Sequence, residues 1–173
     1  FFLTLFKVFL PAWLAEKLFL SAYVLAMVFS FKYLVRAVNP ERGNFVAYLI
    51  FPFIYHSYLL MGYYTFSIAA IFFFLAFGYF IRHTRSFGGR QALVFSLILI
   101  ALFLSHGLVY LIFGFSFLLY FLFTSWYQFR IATPSFSLSQ WFQLAVKLFL
   151  AAVPSIILWI YYIRSVMSIN STI

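Results

Sequence analysis

The chain has 173 residues, of which 67% are hydrophobic, 26% are aromatic and only 8% are charged. Soluble domains are roughly half apolar and about a quarter charged, so this chain lacks the polar side chains needed to cover a water-facing surface. The composition excludes a soluble domain, a disordered tail and a coiled coil. It predicts a polytopic, all-α transmembrane helical bundle, because helices satisfy their own backbone hydrogen bonds in lipid.

The net charge of +9 comes from 11 Lys and Arg residues against Glu16 and Glu41, with no Asp. The basic residues stand singly at the ends of apolar runs, as in membrane proteins, so we expect no nucleic-acid partner. The absence of Cys excludes disulfides, thiolate metal sites and cysteine nucleophiles. The chain opens on Phe1-Phe2, and we expect residues 1–173 to form a single transmembrane domain, either processed or part of a longer chain.

The first half of the chain contains three of about six hydrophobic segments. Trp13 to Val35 exceeds the roughly 20 residues that cross a bilayer. Phe45 to Leu60 is short and contains Pro52, which predicts a kinked or a re-entrant helix. Met61-Gly62 then separates this segment from a full span over Tyr63 to Ile81.

The second half contains a long apolar stretch from Gln91 to Phe123 and a last span from Gln140 to Ile163. As one helix, the long stretch would extend roughly 50 Å, whereas the hydrocarbon core is about 30 Å thick. The sequence therefore predicts a helix break at Ser105-His106-Gly107, and it leaves open whether 45–60 and 91–104 cross fully.

Basic residues predict the orientation in the membrane. If all segments cross, the connectors 36–44, 82–90 and 125–138 share one side. That side holds Arg36, Arg42, Arg82, Arg85, Arg90 and Arg130, with Lys32 and Lys147 in flanking turns. The other side holds Lys7, Lys17 and Arg164. The excess makes the first side cytoplasmic, and the tips at Met61-Gly62 and Ser105–Gly107 face outward.

Ionisable residues inside membrane segments are costly, so each is a candidate for function. Glu16 lies near the start of the first span and is the weak catalytic candidate. Glu16 either anchors the helix at the membrane interface, beside a Lys17 side chain that extends to the headgroups, or lies at the outer mouth of a polar cavity. His56 and His106 are weak candidates for cofactor ligation, since imidazole binds haem iron or chlorophyll magnesium. Structural hydrogen bonding is the favoured interpretation of both, and we expect no haem or chlorophyll.

The loop 82–90 is the most polar stretch of the chain. Arg82, Arg85 and Arg90 are weak candidates for binding an anionic lipid or a phosphate, because guanidinium groups and glycine N–H groups suit phosphate oxygens. A loop that simply follows the positive-inside rule looks the same and is the favoured interpretation. The sequence shows no zinc spacing, no phosphate-loop motif and no serine elbow, so we expect no metal site.

Several short patterns within about residues 11 to 125 resemble a group of uncharacterised bacterial polytopic proteins related to GT-C type glycosyltransferases. The patterns are Ala15-Glu16-Lys17, Phe51-Pro52-Phe53-Ile54-Tyr55, Met61-Gly62-Tyr63-Tyr64-Thr65-Phe66, Gly78-Tyr79 and Leu104-Ser105-His106. In that group the stretch after the glycine often reads Gly-Phe-Tyr-Asn-Phe, from which Tyr63 and Thr65 depart. The resemblance implies a bacterial inner membrane.

The resemblance further implies a polyprenyl-phosphate sugar donor and a catalytic carboxylate in the first outward loop. Glu41 falls on the expected inner side, which leaves Glu16. We therefore expect a GT-C-like scaffold connected with lipid-linked sugar transfer, and we expect the chain alone not to catalyse it. The other hypotheses are a non-catalytic transmembrane subunit of a larger energy-converting complex, with lipid or pigment as its ligand, and a pigment or haem binder through His56 and His106. In each case membrane lipids are the expected partners.

Overall fold

A computed structural model describes residues 8, 10–41, 43–130 and 137–170. Every regular element in these ranges is helical, which confirms the all-α prediction. The α-helices are α1 (Ala12–Val38), α2 (Gly43–Val46), α3 (Phe51–Ile54), α4 (Ser57–Leu60), α5 (Tyr64–His83), α6 (Gly89–Ser105), α7 (Gly107–Arg130) and α8 (Leu138–Asn170). Short 3₁₀ turns cover Ala47–Ile50 and Thr84–Ser86.

Four helical stretches are long and apolar enough to cross a membrane: Ala12–Val38, Tyr64–Ser86, Gly107–Tyr127 and Ser139–Ser165. Shorter apolar helices cover Asn44–Ile54 and Gly89–Ser105. The chain is therefore an integral membrane protein. Its helices form two compact units, residues 1–81 and residues 82–173; the prediction of a single domain remains a prediction.

In the first unit, α1 and α5 run parallel. The start of α5 lies beside the start of α1, where the Tyr64 hydroxyl donates to Glu16. Near the other end, Gly78 of α5 lies against Tyr33 and Leu34. Because the two helices point the same way, the broken segment between them must carry the chain back along the unit. The segment 45–60 therefore traverses the unit as a broken helix.

The break in this segment has a local cause. Pro52 has no N–H to bond the carbonyl four residues earlier, and the N–H of Phe51 instead bonds to the Tyr48 carbonyl, closing a tight 3₁₀ turn. The helix stops at Ile54, and Tyr55 and His56 leave the helical conformation. The predicted separation at Met61-Gly62 is confirmed: Gly62 has φ +81, a backbone conformation that favours glycine.

The core of the first unit lies along the middle of α1. Its buried members come from α1, the broken segment and α5, namely Tyr23, Met27, Ile50, Ile54, Leu59 and Ile71. Within this core, the Tyr23 hydroxyl lies next to the backbone at which the broken segment interrupts its helix. That placement makes the Tyr23 hydroxyl available to the broken backbone.

In the second unit, α6 and α8 run parallel and α7 runs against them. Lys147 of α8 bonds to the Phe87 carbonyl just before α6, and the Phe103 and Tyr162 rings meet near the far end, 6.4 Å apart. Tyr110 of α7 bonds to Ser155, and Phe121 meets Trp141. The short helix α6 therefore traverses its unit.

The predicted helix break at Ser105-His106-Gly107 is confirmed. α6 ends at Ser105, His106 is extended with φ -162 and ψ 111, and α7 begins at Gly107. The length of the apolar stretch, rather than a proline, was the signal for this break, since a continuous helix would project far beyond the hydrocarbon.

Polar connectors were predicted too long at both ends. α1 continues to Val38, α5 continues to His83, and α7 continues to Arg130, well into the expected connector 125–138. The residues 124–130 contain neither Gly nor Pro, so the helix continues where the polarity rises.

Lys7, Arg42 and residues 131–136 lie outside the described residues. α8 begins after a capping box in which Ser137 and Gln140 bond reciprocally.

The close approach of α1 and α5 yields a stability prediction. A methyl group at Gly78 would lie 2.7 Å from the Cδ1 of Tyr33 and 2.9 Å from the Cα of Leu34. Because backbone cannot yield as a side-chain tip can, we expect Gly78→Ala to lower the stability of the first unit by about 1–3 kcal/mol.

Gly114→Ala in α7 is the matched control, because nothing lies within 4 Å of its added methyl group. Both variants gain the same intrinsic helix propensity. Thermal unfolding in a single detergent compares them. A Gly78→Ala midpoint equal to or above that of Gly114→Ala would contradict the close packing of α1 against α5.

Candidate functional site

Glu16, one of the residues that the sequence marks, is held by a partner distant in the chain. Its Oε1 accepts a hydrogen bond of 2.7 Å from the Tyr64 hydroxyl. The Phe19 ring, three residues further along α1, lies 5.2 Å from the Tyr64 ring. Glu16 itself is exposed, whereas Tyr64 is half-buried. A charged carboxylate at an accessible helix start is thus fixed in one orientation by a phenol.

Lys17 turns away from this carboxylate. Its ammonium lies 5.4 Å from the centre of the Trp13 ring, in a cation–π arrangement at the exposed beginning of α1. Adjacent residues on a helix diverge by about 100°, so Lys17 lies over Trp13 whereas Glu16 faces the start of α5. The structure thus separates two neighbouring residues that the sequence could not assign individually.

His56, a second residue singled out from the sequence, caps α4. Its Nδ1 accepts a hydrogen bond of 3.2 Å from the Leu59 N–H, so Nδ1 carries no proton. The neutral ring then carries its proton on Nε2, which lies 3.5 Å from the Tyr23 hydroxyl, at the outer limit for a hydrogen bond. Tyr23 in turn donates to the Ile54 carbonyl at 3.0 Å.

This arrangement joins the two edges of the helix break. Ile54 is the last residue before the break and Leu59 lies in the first turn after it, so Tyr23 and His56 satisfy one carbonyl and one N–H there. Both nitrogens of His56 face protein atoms, which favours the structural interpretation of this histidine over cofactor ligation. Nothing in the sequence revealed Tyr23, because a tyrosine inside an aromatic-rich span carries no distinguishing pattern.

Glu16 and Tyr23 lie seven residues apart on α1. Seven residues complete nearly two helical turns, so both side chains share one face, about 10 Å apart along the axis. We name Glu16, Tyr23, His56 and Tyr64 the Glu16–His56 cluster.

Aromatic rings surround the histidine end of the cluster. The Tyr58 and Phe66 rings lie 6.2 Å and 6.1 Å from the imidazole, and 4.5 Å from each other. Tyr58 and Tyr63 are each about half exposed. Ring faces and hydroxyl groups together give this end of the cluster an amphipathic surface.

The cluster contains a single carboxylate. Glu41 follows the opposite end of α1, roughly 35 Å from Glu16 by helix rise. The two carboxylates of this chain therefore cannot act together on one substrate. No group of three or more His, Cys, Asp or Glu side chains able to hold a metal ion occurs among the described residues.

The remaining candidates lie in the second unit. His106 lines a cavity of about 690 Å³ with Trp159 and Tyr162 among its other walls. A second cavity of about 550 Å³ is apolar, has side chains of α6, α7 and α8 in its walls, and includes Gly114. Arg82, Arg85 and Arg90 are exposed in and beside the turn between α5 and α6.

Comparison with protein family models, with curated proteins and with solved structures gives no match. The GT-C-like resemblance therefore rests on the residues quoted above.

Proposed function

We propose that this chain is a GT-C-like membrane scaffold of the bacterial inner membrane that binds a lipid-linked sugar at the Glu16–His56 cluster. The observation that supports this most is the exposed Glu16 carboxylate, held at 2.7 Å by Tyr64 beside exposed tyrosine rings. A carboxylate accepts hydrogen bonds from sugar hydroxyls, and an aromatic face packs against the C–H face of a sugar ring.

The polyprenyl part of such a ligand has a suitable environment. Exposed apolar side chains of the broken segment adjoin the cluster in the chain, among them Phe51, Phe53 and Leu60. A ligand whose sugar lies at the start of α1 and α5, and whose lipid part lies in the membrane, matches this order of polar and apolar groups. In the orientation that the basic residues predict, this end of the unit faces outward.

We propose that the chain binds the lipid-linked sugar but does not, by itself, catalyse sugar transfer. Glycosyl transfer needs a base within hydrogen-bond reach of the acceptor proton, and a divalent metal at the donor phosphate needs oxygen ligands. Glu16 is the single carboxylate at this end of α1, and it already accepts a hydrogen bond from the Tyr64 hydroxyl. A second carboxylate would have to come from outside these 173 residues.

The alternative is a non-catalytic transmembrane subunit of a larger membrane complex. The feature that favours it is one face of α7, on which large apolar side chains are exposed: Leu108, Leu111, Ile112, Phe115, Leu118, Leu119 and Leu122. They recur at helical spacing and form a continuous stripe, as a helix contacting another helix does. Because the chain has no Cys, one cysteine placed at Phe115 would report cross-links to a neighbouring subunit.

Binding to the purified chain in nanodiscs tests the proposal. Replacing Trp126, Trp141 and Trp159 with Phe leaves Trp13, one turn from Glu16, as the fluorescent reporter. We expect a polyprenyl-phosphate-linked hexose to change its emission, and Glu16→Gln or Tyr64→Phe to weaken binding about ten-fold, because a charge-assisted hydrogen bond is lost. Tyr161→Phe, an exposed tyrosine of α8, is the control.

Three results would contradict the proposal: no binding, equal binding of polyprenyl phosphate without sugar, or equal affinity in Glu16→Gln. Sugar transfer by the 173-residue chain, lost in Glu16→Gln, would contradict the expectation that the chain alone is not catalytic. A specific cross-link at Phe115 together with no sugar binding would favour the subunit alternative.

A further inference from the structure

The second unit carries an unbalanced positive charge. Both carboxylates of the chain precede residue 42, so residues 82–173 contain no acidic side chain at all. The same residues contain Arg82, Arg85, Arg90, Arg130, Lys147 and Arg164. No acidic side chain of this unit can therefore neutralise any of them.

Four of these cations belong to one end of the unit. Arg82, Arg85 and Arg90 flank the turn between α5 and α6, and all three are exposed. Lys147 reaches the same turn from α8, where its Nζ donates to the Phe87 carbonyl at 3.1 Å. We name Arg82, Arg85, Arg90 and Lys147 the basic turn cluster. The sequence placed Lys147 in a flanking turn on the same side of the membrane as this loop, but it did not predict its contact with Phe87.

The turn itself is fixed. Phe87 is 5% exposed and its ring lies 6.1 Å from that of Phe95 in α6. The Gly88 N–H donates to the Gln91 side chain at 3.2 Å. The backbone between the arginines is therefore anchored at both Phe87 and Gly88. A group of like charges along one short turn favours an anion that lies among them.

The position of this turn at the end of a candidate membrane span favours a lipid headgroup as the anion. The turn immediately follows the candidate span Tyr64–Ser86, and Lys147 lies nine residues into α8, within the span Ser139–Ser165. A lysine at that position stabilises its charge by extending its side chain to the membrane surface. Its contact with the Phe87 carbonyl is consistent with a turn at headgroup level.

We propose that the basic turn cluster binds the phosphate groups of anionic phospholipids, with phosphatidylglycerol as the type of ligand. Clusters of basic residues at the end of a transmembrane helix attract anionic lipids, and each such charge contributes about a five-fold change in affinity. The ammonium of Lys147 has donors left after its bond to Phe87, and the arginines supply paired donors that match phosphate oxygens. This site is independent of the Glu16–His56 cluster and of the proposed sugar binding.

Native mass spectrometry of the purified full chain, with phosphatidylglycerol or phosphatidylcholine added in equal amounts, measures the preference. We expect the wild type to retain phosphatidylglycerol preferentially. The double variant Arg85→Gln/Arg90→Gln should lose about 25-fold of this preference, and Lys147→Gln about five-fold. All three positions are exposed, so the variants are expected to fold, which circular dichroism checks.

Arg164→Gln is the matched control, because it removes one exposed cation of the same unit outside the basic turn cluster. An Arg164→Gln effect as large as that of Lys147→Gln would overturn the proposal in favour of unspecific charge attraction. An unchanged preference in the double variant would also overturn it. Displacement of the lipid by millimolar inorganic phosphate would assign the site to free phosphate instead. None of these outcomes bears on sugar binding at Glu16.

Discussion

The structure depends on one constraint: inside a membrane, every backbone N–H and C=O must find a partner within the protein. A helix meets this requirement along its length but fails it at every interruption. The chain interrupts its helices at Tyr55-His56 and at His106. At the first interruption the Tyr23 hydroxyl bonds to the Ile54 carbonyl, and His56 accepts the Leu59 N–H. The polar side chains at this interruption therefore form hydrogen bonds with backbone groups.

This requirement separates the candidate residues by role. His56 is engaged at a helix break, and its position in the chain is explained without any ligand. Glu16 is different, because its partner is the Tyr64 side chain rather than an interrupted backbone. The basic turn cluster is different again, since its charge has no counterpart in residues 82–173. The two proposals therefore depend mainly on Glu16 and on the exposed arginines of the turn, because bonding to the backbone does not explain their placement.

Much of the fold could be predicted from the sequence because it depends on the lengths of successive apolar segments. Apolar length against bilayer thickness predicts the spans, and the excess length of Gln91 to Phe123 predicts the break at Ser105–Gly107. Helix ends were predicted less well at Arg130, because polarity marks where a helix leaves the hydrocarbon and not where its hydrogen bonding stops. For the broken segment the sequence predicts either a kinked or a re-entrant helix. Its path through the unit depends on the parallel packing of α1 and α5, which the sequence does not specify.

The candidate site could be predicted only in part. Glu16, His56 and the arginines were found because charged and titratable residues are rare in this sequence. Tyr23, Tyr64 and Lys147 were not linked to them, since each pairing joins residues between 33 and 60 positions apart. Such pairings follow from helix direction and packing, which a single sequence with aromatic residues in every span does not specify.

His56 accepts a backbone hydrogen bond at the helix break, and exchange of the Leu59 amide hydrogen tests this role most directly. Measured in nanodiscs, this amide should exchange much faster in His56→Ala than in the wild type, because its acceptor is gone. In His56→Asn the exchange should remain slow, since the Asn side chain also accepts from this position. Equally slow exchange in His56→Ala would contradict the claim.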